Sequence, residues 1–104
     1  MNRYKIETAI VPISWLSGCE HGAANGYIGL PKDHPWHGKD YDYIEADVHG
    51  GLTYAGEINP STREKDDLWW IGFDTAHYGD TPASCPISFV ENEINNLVRQ
   101  ANGV

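Results

Sequence analysis

The chain predicts a small α+β fold: a mainly antiparallel or mixed sheet with one C-terminal helix packed on it. Three observations lead there. Short apolar runs stopped by Gly or Pro recur between residues 27 and 73, as strands do when turns separate them. A 3.6-residue apolar period appears only near the C-terminus. The length, 104 residues, is close to the commonest domain size, so residues 1–104 read as a single domain with a modest core.

Taken in order, residues 3–16 mix strand and turn signals, with Pro12 interrupting Ala9-Ile10-Val11. Residues 18–26 are loop-like. Tyr27-Ile28-Gly29-Leu30 is a short strand stopped by Pro31. Residues 32–42 form a polar loop whose Pro and Gly forbid a stable helix. Residues 43–48 alternate with a period of two: Ile44, Ala46 and Val48 face one way, and Tyr43, Glu45, Asp47 and His49 the other. Gly50-Gly51 then breaks or bulges this strand, and residues 52–55 resume it. Residues 57–67 read as a solvated connection. Leu68 to Phe73, the most hydrophobic run, is the predicted central strand. Val90, Ile94, Leu97, Val98 and Ala101 share one face of the terminal helix. Ser88 with Glu91 suits a capping box, and Gly103 suits the stop.

Composition excludes several functions. The net charge is −8, and the seven Lys and Arg residues are scattered, so nothing tracks a phosphate backbone and no nucleic-acid polymer is expected as partner. No stretch approaches the ~20 apolar residues of a membrane span, so no membrane partner is expected. Met1–Ile10 lacks the apolar core of a secretory leader, which makes the cytoplasm the expected compartment. Cys19 and Cys85 are too few and too far apart for a metal knuckle, and read as two reduced thiols.

The chemistry-bearing residues concentrate in two segments that end apolar runs. One is His49-Gly50-Gly51-Leu52-Thr53-Tyr54; the other runs from Trp70 through Asp74 and His77 to Asp80. Loops on a rigid sheet are where binding residues usually sit. The predicted ligand-binding set is Tyr27, His49, Gly50, Gly51, Thr53, Tyr54, Trp70, Asp74, His77 and Asp80, with both segments contributing to one site. The glycines would let a ligand approach main-chain N–H groups, or simply permit a bulge. Tyr27, Trp36, Tyr54, Tyr78 and one of the two adjacent Trp could stack on a planar ligand or pack the core. Asp47 and His49 share a strand face, but at ~6–7 Å they are too far apart for a direct hydrogen bond. No nucleophile elbow or phosphate loop is present, and no cofactor is expected. The spacings His34-x-x-His37 and Asp74-x-x-His77-x-x-Asp80 would also admit a divalent metal.

Several of these motifs together resemble a set of small uncharacterised phage and prophage proteins. They are Gly26-Tyr27-Ile28-x-Leu30-Pro31, His34-Pro35-x-x-Gly38-Lys39-Asp40-Tyr41-Asp42, His49-Gly50-Gly51-Leu52-Thr53-Tyr54 and Trp70-x-Gly72-Phe73-Asp74-x-Ala76-His77-x-Gly79-Asp80. The resemblance implies a phage-related setting in the host cytoplasm, where small acidic proteins counter host defence by masking a protein or sequestering a nucleotide signal. The preferred expectation is therefore a non-enzymatic protein that captures a small polar ligand such as a nucleotide, with a homo-oligomer helping to build the pocket. Two alternatives stay open. One is a metal-assisted or His/Asp-dependent hydrolase of a small phosphorylated substrate, using His49, Asp74, His77 and Asp80. The other is an acidic inhibitor that masks a host factor.

Overall fold

The computed structural model describes residues 3–13 and 21–104. Four antiparallel strands pair in the order β1-β2-β4-β3: β1 Glu7–Pro12, β2 Ala24–Leu30, β3 Tyr54–Ile58 and β4 Lys65–Phe73. Among the described residues the one α-helix, α1 Ile87–Asn102, follows β4. This is the predicted small α+β fold, and the hydrophobic run at 68–73 lies inside β4, between β2 and β3. Residues 24–26, expected in a loop, extend β2 instead. Pro12 ends β1, an edge strand, where a missing N–H does no harm. Cys19 and the expectations for residues 14–20 lie outside the described residues.

The core follows from two periodicities meeting. The register Ile28↔Ile71 with Gly26↔Phe73 lines up Ala24, Ile28, Leu30, Ile71 and Phe73 on one sheet face. Val90, Ile94, Leu97 and Ala101, one stripe of α1, bury against that face. A Cβ at Gly26 would stand 2.7 Å from Phe73 and 2.8 Å from Ile94, so the glycine lets the helix approach. The opposite face carries a second aromatic layer. Trp70 is 1% exposed there and its indole N–H donates to Asp66 (3.0 Å). Tyr27 and Tyr54 flank Gly72 on either side, with their rings edge to face at 5.7 Å. Both faces of β4 are thus covered, which lets adjacent Trp69 and Trp70 both find partners: the Trp69 N–H donates to the Lys39 carbonyl (2.8 Å).

Three local expectations are corrected. Residues 43–48 do not join the sheet. Tyr41–Tyr43 form a 3-10 turn, and residues 44–48 run extended beside α1, with Ile44 and Val48 buried as the alternation requires. The helix supplies their backbone partners: Gln100 accepts from the Asp47 N–H, while Gln100 and Asn96 amides donate to the Asp47 carbonyl. A period of two reports a buried face on extended chain; it does not specify a neighbouring strand. Residues 57–67 are solvated as expected, but they are hairpin rather than a plain connection, with both ends in strands. The Asn59 side-chain Oδ1 accepts from the Ser61 N–H and the Asn59 carbonyl from the Arg63 N–H, which tightens the turn so that β3 reaches Ile58 and β4 starts at Lys65. The capping box fails because Pro86 is the N-cap; Ser88 then lies inside the first turn, and no side chain caps the helix. Gly103 does end α1, though in the right-handed conformation.

Candidate functional site

The segment running along α1 delivers His49 to one end of the molecule. Its backbone N–H donates to Glu93 Oε1 (2.8 Å), and its ring packs edge-on against Phe89. The chain then turns through Gly50 and Gly51, at φ +69° and +81°. A Cβ on Gly50 would sit 2.2 Å from the His77 ring, so only glycine lets that imidazole lie on the backbone.

The second part hangs from the end of β4. Asp74 accepts from the Ala76 N–H and turns the chain, the simple turn-capping role for this residue. Buried Thr75 anchors the loop to the start of β2: its hydroxyl donates to the Ala24 carbonyl (2.7 Å) and its N–H to Asn25. A further turn then closes between His77 and Asp80, where the His77 N–H donates to Asp80 Oδ2 (2.9 Å) and the Asp80 N–H to the His77 carbonyl.

These two parts meet at Asp80, which is 5% exposed. His49 Nε2 lies 2.9 Å from Asp80 Oδ1 and 3.1 Å from Oδ2; His77 Nδ1 lies 3.2 Å from Oδ2. The two imidazoles stand edge to face at 5.4 Å, and Asp74 is 3.5 Å from His77. Burial pushes the Asp80 carboxyl up, but the His77 N–H and the two histidine rings outweigh it and hold the carboxyl below its ordinary value. Cys85 completes the cluster, with Sγ 3.9 Å from His49 Nε2 and 3.7 Å from Asp80 Oδ1. Burial, reinforced by Asp80, raises its pKa, so it is a thiol at neutral pH. A Cys-His-Asp relay is not assembled: carboxylate and thiol face the same imidazole nitrogen, whereas a relay holds them on opposite nitrogens.

His49, Gly50, Asp74, His77 and Asp80 are therefore brought together, with Gly51 beside them and open space where its Cβ would be. Thr53, Tyr27 and Tyr54 belong to the sheet: the Thr53 N–H donates to Gly72, and the two tyrosines form the aromatic layer at that end of β4. Trp70 is buried in the same layer and offers no ligand a surface. Tyr78, by contrast, is fully exposed in the loop between His77 and Asp80. Residue order does not single out Cys85, because a lone cysteine flanked by Ser and Pro carries no motif. Its only signal is nearness in sequence to Asp80, across a turn closed by the Cys85 N–H to the Thr81 carbonyl (2.8 Å).

The other histidine pair does not form a metal site. The Trp36 N–H donates to His34 Nδ1 (2.9 Å), which leaves Nε2–H to donate to the Ala101 carbonyl (2.8 Å). Both nitrogens are occupied, and burial lowers the His34 pKa, keeping the ring neutral. His37 instead packs against Trp69, bordering a cavity of about 270 Å³ shared with Lys32, Glu57, Lys65 and Asp66. A more apolar cavity of about 490 Å³, bordered by Pro12, His21, Gly22, Pro82 and Ile87, adjoins the Cys85 backbone, whose carbonyl accepts from the Ala23 N–H. Among the described residues, no helix is long and apolar enough to cross a membrane. Comparisons with protein families, curated proteins and solved structures find no match to this chain.

Proposed function

We propose that the chain is a small-ligand-binding protein whose site is the rim formed by His49-Gly50-Gly51 and the loop from Asp74 to Asp80. One observation carries this reading: His49 and His77, from separate segments, converge on a single buried carboxylate at a loop-built end of the sheet. Burying the Asp80 carboxylate costs desolvation, which the two partly exposed imidazoles and the His77 N–H offset while keeping both rings at the surface. Alongside it, Tyr78 holds a full aromatic face in solvent and Gly50 is exposed beside His49, which suit stacking on a planar group next to a polar rim. A nucleotide, the ligand class suggested by the phage-like motifs, combines those features, and sequestration of a nucleotide signal in the host cytoplasm is the proposed role.

Calorimetry against cyclic nucleotides, ADP-ribose derivatives and NAD tests the proposal. Binding that is lost in both His49→Ala and Tyr78→Ala, with the melting temperature of Tyr78→Ala unchanged, supports it. Heat signals absent for every compound would end it. A second reading, a metal-assisted hydrolase of a small phosphorylated substrate, is favoured by the ligand-type atoms gathered around His49 Nε2. It predicts turnover, whereas capture predicts that the ligand is recovered intact.

A further inference from the structure

We propose that His49 Nε2, an Asp80 carboxylate oxygen and Cys85 Sγ form a three-ligand site for a zinc-type divalent ion, with the fourth position open. The proposal uses the same cluster as the capture reading, but does not depend on what the rim captures.

The distances carry it. Zinc bonds of about 2.0–2.2 Å to nitrogen and oxygen and 2.3 Å to sulfur, at tetrahedral angles, set ligand atoms about 3.3–3.6 Å apart. The three edges here are 2.9 Å (His49 to Asp80), 3.9 Å (His49 to Cys85) and 3.7 Å (Asp80 to Cys85). All three ligand atoms lie within 4.8 Å of one another, and two of the three residues are buried. The Cys85 S–H points to Asp80 Oδ1 at 3.7 Å while Sγ accepts from Ser84 Oγ at 3.8 Å, and His49 Nε2 meets the same carboxylate; a cation between the three would replace these proton-held contacts by direct bonds. The mixed N, O and S donor set selects a borderline-soft ion over Mg²⁺ or Ca²⁺, which prefer oxygen alone.

The surroundings fit the same role. His77 bonds the carboxylate from outside through its backbone N–H and its ring, fixing the orientation of Asp80 as outer-shell partners do at metal sites. Glu93 holds the His49 backbone in place. On binding, Cys85 would enter as thiolate and release its proton to solvent. Thiolate, carboxylate and neutral imidazole then balance the two positive charges. The acidic rim would thereby gain a Lewis-acidic position that a phosphate oxygen or other polar ligand atom could occupy.

The test uses the full chain, stripped with a chelator, dialysed and titrated with Zn²⁺ or Co²⁺ alone. The expected result is one ion per chain, with a thiolate-to-cobalt charge-transfer band in the Co²⁺ form. Cys85→Ser should abolish that band and weaken Zn²⁺ binding by more than about 100-fold, whereas His77→Ala should weaken it by about 10–100-fold, as an outer-shell change does. Cys19→Ser should leave both readouts unchanged. If Cys85→Ser fails to fold, peptide mapping of alkylated wild-type protein decides instead: Zn²⁺ must slow modification of Cys85. Absence of stoichiometric binding, a Co²⁺ spectrum without the sulfur band, or unslowed alkylation would overturn the proposal. Nucleotide binding measured in excess chelator is a separate readout, so this site and the capture reading can fail independently.

Discussion

His49 Nε2 lies 2.9 Å from Asp80 Oδ1, although the two residues are 31 positions apart in the chain. Neither is on a strand. His49 is held through its backbone by Glu93 of α1, and Asp80 belongs to a loop pinned to the start of β2 by Thr75. The contact therefore reports the docking of helix on sheet, and a change that loosens either anchor should separate the pair.

Gly50→Ala tests that packing directly. A Cβ there meets the His77 ring and must accept φ +69°, so the variant should lose about 1–3 kcal/mol, and under the proposed capture role most of its nucleotide affinity. Gly51→Ala carries the same backbone strain but meets nothing within 4 Å, so it should leave the His77 ring in place. Urea denaturation gives the stabilities, and imidazole NMR reports the ring environments. Equal His77 shifts in both variants would contradict the packing.

Leu97→Ala should cost about 2–5 kcal/mol, since Leu97 is fully buried in the core where α1 packs on β2. Chemical denaturation measures it. A loss below about 0.5 kcal/mol would place the side chain at the surface and contradict this core.

Gln100→Ala removes both hydrogen bonds that its amide makes to the Asp47 backbone. Amide hydrogen exchange should accelerate at residues 45–49, while the ladder between β2 and β4 keeps its protection. Uniform acceleration across the sheet would mean that the segment is not a separate unit.

Two groups predict opposite ends of the acid response. The Asp66 carboxyl is pushed up by burial but held below its ordinary value by bonds from the Leu68 N–H, Asn59 and Trp70. A lowered folded pKa gives stability that is complete above the unfolded value, about 3.9, and lost as pH falls through the folded one. The wild type should therefore lose stability relative to Asp66→Asn below about pH 4. His34 is also lowered, by burial, so its contribution is complete above about pH 6.5 and declines below it. Its NMR titration midpoint should lie under that value; a midpoint above it would mean that His34 is charged in the fold.

Much of the fold is legible in residue order because its causes are local. The 3.6-residue stripe from Val90 to Ala101 can bury only as a helix, and residues 68–73 are too apolar to sit anywhere but inside the sheet. Gly50 and Gly51 mark a backbone that needs positive φ. The period of two in residues 43–48 correctly marks Ile44 and Val48 as buried. Hydrogen-bond partners are another matter: Asn96 and Gln100 of the helix replace the strand that the pattern suggests.

The sequence by itself determined the buried stripe of α1, the apolar run of β4, the turn at Gly50-Gly51, and that His and Asp would gather at loop ends. Only the tertiary structure decided that His49 and His77 share Asp80, that Cys85 joins them, that Trp70 is sealed beneath the sheet's second face, and that Tyr78 stands alone in solvent. The physical reason is range. Periodicity and turn chemistry act over a few neighbouring residues, whereas a side chain's partner depends on how whole elements dock, and docking is set by the sum of many weak contacts across the core.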